Sequence, residues 1–271
     1  MWNLRLVLTL LLALLPACAN LNFYSDEQLE PLSAQAYEEA TKATQGIDAT
    51  SKDAQMVQRV AKKIAAACDE DFKWEARLLK ADIPNAFCLP NGRIAIYTGI
   101  LPITQNEAGL AVVMGHEVAH AVLRHGGKRM TQGTLTQGAM SALEAGLGMM
   151  EMSGEAKGGV MAAMGMGANV GVLLPFSRDH ESEADIEGLR YAIRAGYDPN
   201  EAPKLWERMA KLGGSGQPEW LSTHPASEAR AATLRAMIPE LVEQEKNWQP
   251  KPKAAPAAPP TKTVDPGAVK K

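Results

Sequence analysis

The chain has 271 residues, 46% of them apolar, enough for a sizeable core in one large domain or two small ones. A net charge of −3 gives no electrostatic case for nucleic-acid binding. Its three cysteines, Cys18, Cys68 and Cys88, form no C-x-x-C pair of the metal or redox kind.

Residues 1–17 read as an export leader, with Arg5, a short apolar run from Leu6 to Leu15, and then Leu15-Pro16-Ala17-Cys18. The run is too short for a stable bilayer span. Its end is similar to a bacterial lipoprotein signal, which would make Cys18 the acylated first residue of the mature chain; an ordinary leader with an incidental cysteine is the alternative. Ala19 and Asn20 follow, so the aspartate associated with inner-membrane retention is absent. The expected location is therefore the periplasmic side of the outer membrane.

Two helices are expected next. One begins at Ser25-Asp26-Glu27-Gln28 and runs to Gly46, with Tyr37 and Ala40 on its apolar side; the other starts near Ser51 and carries Met56, Val57, Val60 and Ile64. From Phe72 to Leu101 the pattern becomes extended. Strands are expected at Trp74–Leu79, Ala86–Leu89 and Arg93–Gly99, with turns at Pro84-Asn85 and Pro90-Asn91-Gly92. Together they would make a small antiparallel sheet whose edge can accept an extended peptide. Cys68 and Cys88 flank the first strand, and in an oxidising compartment a bridge between them would contribute roughly 3 kcal/mol.

The segment Glu107–His125 has helical character, with a capping-box start in Thr104-Gln105-Asn106-Glu107 and a stop at Gly126-Gly127. It contains His116-Glu117-Val118-Ala119-His120. Residues four apart on a helix share a face, so His116 and His120 can grip one metal ion from successive turns. Glu117 points about a quarter turn away, where it can hold a water beside that metal. His125 and His180, which flank the motifs, read as structural.

Eight of the 13 methionines fall in 128–176, among Gly and Ala. Two adaptable helices over a cleft are expected there, with plain core packing or a membrane span at 159–176 as alternatives. Another helix follows with Glu181, Glu183 and Asp185. Glu181 and Asp185 share a face and Glu183 points elsewhere. One carboxylate from this helix would complete a three-ligand zinc site, and Asp185, one turn on, would accept the free N–H of His116. Gly213–Gly216 reads as a loop leading to Trp220 and His224, 226–247 as a last amphipathic helix, and 248–271 as a disordered Pro/Ala/Lys-rich tail.

Taken together, His-Glu-x-x-His at 116–120, Glu-x-Glu-Ala-Asp at 181–185 and His224-Pro225 with Arg230 resemble the zinc metallopeptidases that include HtpX, the Oma-type mitochondrial protease and the CAAX-prenyl proteases. This is metallopeptidase family forty-eight, of the gluzincin group. Asn85-Ala86-Phe87-x-x-Pro90-x-Gly92 and Thr98-Gly99-Ile100-Leu101 are similar to its segment before the zinc helix, and the exported start is similar to periplasmic lipoprotein members such as LoiP. The resemblance covers roughly 20–237. It implies an α+β, mainly helical, zincin-like domain over 18–247, with one zinc ion held by His116, His120 and Glu181. It further implies Asp185 as a supporting carboxylate, Glu117 as general base, and His224 or Arg230 as oxyanion stabiliser. The expected function is an envelope endopeptidase acting on misfolded or mis-assembled polypeptides. The alternative is an outer-membrane protein assembly factor or chaperone with marginal peptidase activity.

Overall fold

The computed structural model describes residues 21–43, 47, 49–148, 177–212, 219–224 and 228–250. The leader with Cys18, the methionine-rich stretch 149–176, the glycine-rich stretch 213–218, residues 225–227 and everything from 251 lie outside the described residues.

The first helix, α1 (Asp26–Ala43), opens on a reciprocal capping box. The Ser25 amide donates to Gln28 Oε1 at 2.8 Å and the Gln28 amide donates to Ser25 Oγ at 3.3 Å. The second, α2 (Lys52–Ala67), is capped by Ser51 and turns Val57, Val60 and Ile64 into the core at helical spacing. Three strands follow, β1 (Glu75–Leu79), β2 (Ala86–Leu89) and β3 (Arg93–Tyr97). The β2–β3 hairpin turns through Pro90 and Asn91, where Pro fixes the first corner and Asn91 takes φ +70°, the pattern of a type II turn.

The sheet is mixed, where an antiparallel one was expected. β3 inserts between the other two in the order β1-β3-β2, pairing antiparallel with β2 and parallel with β1. The chain runs up β1, down β2 and up β3, so insertion of β3 makes the first and third strands co-directional. One face of the sheet packs Ala76, Leu78, Ile94 and Ile96 into the main core with α2. The other holds Leu79 and Ala95 against Tyr37 of α1.

A 3-10 turn (Thr98–Ile100) and the short α3 (Leu101–Thr104) lead into α4 (Glu107–Val122). The α4 N-cap is Asn106, whose side chain accepts from the Gly109 amide at 2.9 Å. Thr104, the expected cap, instead turns its hydroxyl to the Leu101 carbonyl. Gly109 to Ala121 are all buried, as an apolar-all-round helix requires. α4 stops at Arg124 (φ +56°), and Gly126-Gly127, the expected stop, lie in the first turn of α5 (His125–Gly148). One left-handed residue breaks the hydrogen-bond ladder whatever its type. Among the described residues no helix is long and apolar enough to cross a membrane.

Four more helices complete the described fold: α6 (Arg178–Arg194), α7 (Glu201–Ala210), α8 (Glu219–Thr223) and α9 (Glu228–Glu245). α6 crosses α4 at two glycines. A Cβ on Gly115 would lie 2.6 Å from the Gly188 carbonyl oxygen, and one on Gly188 the same distance from the His116 amide. Only glycine at both positions lets the backbones come close enough for the carboxylates of α6 to meet the histidines of α4.

α9 is tied to α6 by Glu245, which accepts from Arg190 Nη1 and Arg194 Nε, each at 2.6 Å. Burial pushes the Glu245 carboxyl up, but the two guanidiniums outweigh it and hold it below the ordinary glutamate value. The stabilisation is therefore present above that ordinary value, near 4.5, and fades as pH falls through the depressed one. Glu245→Gln is expected to cost about 2 kcal/mol at pH 7, reduced from a fully buried pair because the arginines are partly exposed. Denaturant melts should show that gap closing below about pH 4.

The expected Cys68–Cys88 bridge is not formed, and both cysteines are free thiols. Cys68 Sγ turns back to the Ala65 carbonyl at 3.5 Å, and Cys88 Sγ donates along its own strand to the Leu89 carbonyl at 3.6 Å. Burial pushes the Cys68 thiol up to about 11 and the Cys88 thiol well above its usual range.

Candidate metal centre and active site

Four ligand atoms converge between α4, α6 and α8, from His116, His120, Glu181 and His224, all within 4.8 Å of one another and all buried. His116 Nε2 lies 3.1 Å from His120 Nε2 and 3.2 Å from His224 Nδ1. Glu181 Oε1 lies 3.3 Å from His120 Nε2 and 3.0 Å from His224 Nδ1. The first three residues were expected from the sequence. The placement of His224 as a fourth donor was not, since it was expected to stabilise an oxyanion.

The proton inventory shows that this set fits a metal ion. His116 Nδ1 is 3.1 Å from Asp185 Oδ1, close enough for the carboxylate to favour a hydrogen on that nitrogen. When His116 is neutral, as a metal ligand must be, it points the bare lone pair of Nε2 at two other imidazole nitrogens. Lone pairs that close repel unless a proton or a metal cation lies between them, and a metal can be shared by all four donors at once. His116, His120 and Glu181 are borderline and hard donors of the kind zinc takes.

The surrounding charges keep the carboxylates ionised but do not by themselves keep His116 neutral: burial pushes its ring down, yet Asp185 and Glu181 outweigh this and raise it above its ordinary value. Burial pushes the Glu181 carboxyl up, but hydrogen bonds with His120 and His224 and the His116 charge bring it well below the usual range. Burial also pushes Asp185 up, and bonds to His116 and Arg230 reverse it. For His120 burial wins, holding the ring well below its ordinary value and hence neutral.

Arg230 meets the carboxylates of α6. Its Nε and Nη2 each reach an Asp185 oxygen at 2.7 Å, its Nη1 reaches Glu181 Oε2 at 2.7 Å, and its guanidinium lies 3.6 Å above the Trp206 ring. The structure thus places it as a brace behind the ligands. Asp185→Asn would put an amide beside both His116 and Arg230. It is expected to keep the donor set but lose about 10–100-fold in metal affinity, measured by chelator competition.

Glu117 stands beside the cluster and outside it. Its Oε1 accepts from Trp220 Nε1 at 2.7 Å and lies 3.6 Å from His224 Nε2. Trp220, which sequence reasoning passed over, stacks on both His224 and Trp206. The signal was available: Trp220 and His224 are four apart and so share a helical face. A cleft of about 230 Å³ opens here, lined by Glu117, His120 and His224 on one side and Phe87, Cys88 and Leu89 of β2 on the other. Among the described residues β2 pairs only with β3, so it is an edge strand along the cleft.

Two histidines and a carboxylate on crossing helices, with a glutamate beside them and an edge strand across a cleft, define a zincin-like metallopeptidase domain. A family model described as Peptidase family M48 matches residues 51–238, and the chain belongs to that family. It is 38% identical over 187 residues to the mitochondrial metalloendopeptidase OMA1 of Schizosaccharomyces pombe, covering 68% of this chain and 52% of that one. Similarity extends to the Arabidopsis thaliana OMA1 (38% over 165 residues, 61% of this chain and 32% of that one). The beta-barrel assembly-enhancing protease of Escherichia coli is 30% identical over 165 residues, 58% of this chain and 33% of its own length. The chain thus spans between about a third and about half of these relatives.

Proposed function

We infer that the chain is a zinc-dependent endopeptidase of the bacterial cell envelope, cleaving misfolded or mis-assembled polypeptides from a Cys18 lipid anchor on the periplasmic side of the outer membrane. The observation that carries the peptidase reading is Glu117, buried between the four-donor cluster and the β2 cleft. Zinc held by His116, His120 and Glu181 would polarise the scissile carbonyl and acidify the attacking water. Glu117 takes that water's proton at Oε2, the oxygen not engaged by Trp220, and returns it to the leaving amine. An extended substrate adds to the β2 edge, and its main-chain hydrogen bonds bring many sequences to the same register. Poor selectivity of this kind suits unfolded polypeptides. The envelope address rests on the leader sequence and on similarity to the bacterial beta-barrel assembly-enhancing protease.

The second reading, an assembly factor with marginal peptidase activity, draws on His224. Four protein donors make the closed kind of zinc site, and catalysis needs one position open. The test uses purified chain and an unfolded polypeptide. Cleavage should stop with a zinc chelator and return when zinc is restored, and a chain that holds zinc without cleaving supports the assembly reading. Mass spectrometry of the mature protein should show a lipid-modified peptide starting at Cys18, and an unmodified start elsewhere removes the anchor.

A further inference from the structure

His125 and Glu183 have no part in the reading above, yet they meet the metal centre from behind. We propose that they form a positioning dyad that fixes the tautomer and ring plane of His120, so that His120 presents Nε2 to a divalent metal. His125 Nδ1 lies 2.9 Å from His120 Nδ1, and His125 Nε2 lies 3.0 Å from Glu183 Oε2. With neutral rings, one proton arrangement satisfies both contacts. The Glu183 carboxylate can only accept, so His125 Nε2 carries a hydrogen and donates it. A neutral His125 then has a bare Nδ1, which accepts from Nδ1–H of His120. His120 is left with its lone pair on Nε2, the atom in the four-donor cluster.

His120 thereby receives from His125 what His116 receives from Asp185, a partner that holds the hydrogen on the nitrogen away from the metal. The arrangement depends on the break after α4. On a continuous helix a residue five positions on lies about 140° around the axis. The left-handed Arg124 turns the chain so that His125 comes back under His120. His125 is fully buried and stacked on His180, with ring centroids 4.3 Å apart and planes 16° from parallel, so its ring has one orientation. Glu183 reaches it from α6 on the side away from Glu181, with its side chain 47% exposed. As the sequence implies, Glu183 points away from Glu181; what the sequence does not show is that it reaches His120 through the ring of His125.

The proposal rests on the metal-centre reading and is tested by binding, apart from turnover. Zinc affinity of the full chain is measured by chelator competition, and the histidine tautomers by long-range ¹H–¹⁵N spectra of the zinc-loaded protein. His125→Phe keeps the ring shape without nitrogens and should lose about 10–100-fold in zinc affinity. Glu183→Ala should weaken binding by a smaller factor, and Glu183→Gln, whose amide oxygen still accepts, should recover most of it. The double variant H125F/E183A should bind no worse than His125→Phe alone, because Glu183 acts only through His125. His120 should show a protonated Nδ1 in the wild type and altered Nδ1 signals in Glu183→Ala. Wild-type zinc affinity with unchanged His120 signals in Glu183→Ala would overturn the dyad, as would fully additive losses in the double variant. Should His125→Phe fail to fold, the half-exposed Glu183 carries the test alone. A wild-type chain that binds no divalent metal would overturn the metal-centre reading itself, an outcome distinct from variants that bind normally.

Discussion

Replacing Glu117 by Gln is expected to lower peptidase turnover by about 10²–10⁴-fold, the usual worth of a positioned proton-transfer group, while leaving the zinc content unchanged. Glu117 lies outside the four-donor cluster, so its loss removes no ligand. An amide in its place can still accept from Trp220 Nε1 through its oxygen, which keeps α8 and His224 where they are. What the amide cannot do is take a proton at the second position. Rate on an unfolded polypeptide and metal content of the same preparation decide the matter together. Turnover close to wild type would remove Glu117 from the chemistry, and loss of zinc would make it structural. In cells the same variant separates the two functional readings. A protease should fail to complement and should retain its substrates, whereas an assembly factor should complement normally.

Glu181→Gln is expected to strip the metal, with an affinity loss beyond the 10–100-fold typical of a partner one shell out. Glu181 Oε1 faces His120 and His224, while Oε2 faces Arg230 Nη1 at 2.7 Å. A glutamine must put its NH₂ on one of these sides. Turned outward, it sets a donor against the guanidinium; turned inward, it sets a donor where the metal needs a lone pair. Neither orientation restores the site, and a buried cation is left short of its counter-charge. Zinc content of purified Glu181→Gln, Asp185→Asn and Glu183→Gln should rank lowest, intermediate and nearest to wild type. A zinc-replete Glu181→Gln beside a zinc-free Glu183→Gln would reverse the ligand assignment.

His116 and His120 were legible because a local period decides them: four residues on a helix return to the same face, whatever surrounds it. The same period separated Glu181 and Asp185 from Glu183. Strand positions were legible for a similar reason, since alternation and the Pro90-Asn91-Gly92 turn are local. Pairing was not, because the choice between inserting β3 and appending it depends on which faces α1 and α2 cover. The missing Cys68–Cys88 bridge is likewise a matter of where two thiols point, which their spacing does not specify.

By itself, then, the sequence determined the helix and strand segments, the metal-binding face of α4 and the face of α6 that meets it, since each follows from contacts within a few residues. Tertiary structure decided how those faces are closed. His224 lies 108 residues from His116 and 43 from Glu181, and joins them as a fourth donor only because α8 folds over the site. Arg230, which with His224 the resemblance offers as an oxyanion group, reaches Asp185 and Glu181 because α9 packs against α6. Trp220 on Glu117, and His125 between His120 and Glu183, are also contacts across elements. Such contacts depend on the approach of two backbones, set here by Gly115 against Gly188 and by one left-handed residue at Arg124. No periodicity within a single segment encodes a distance of that kind.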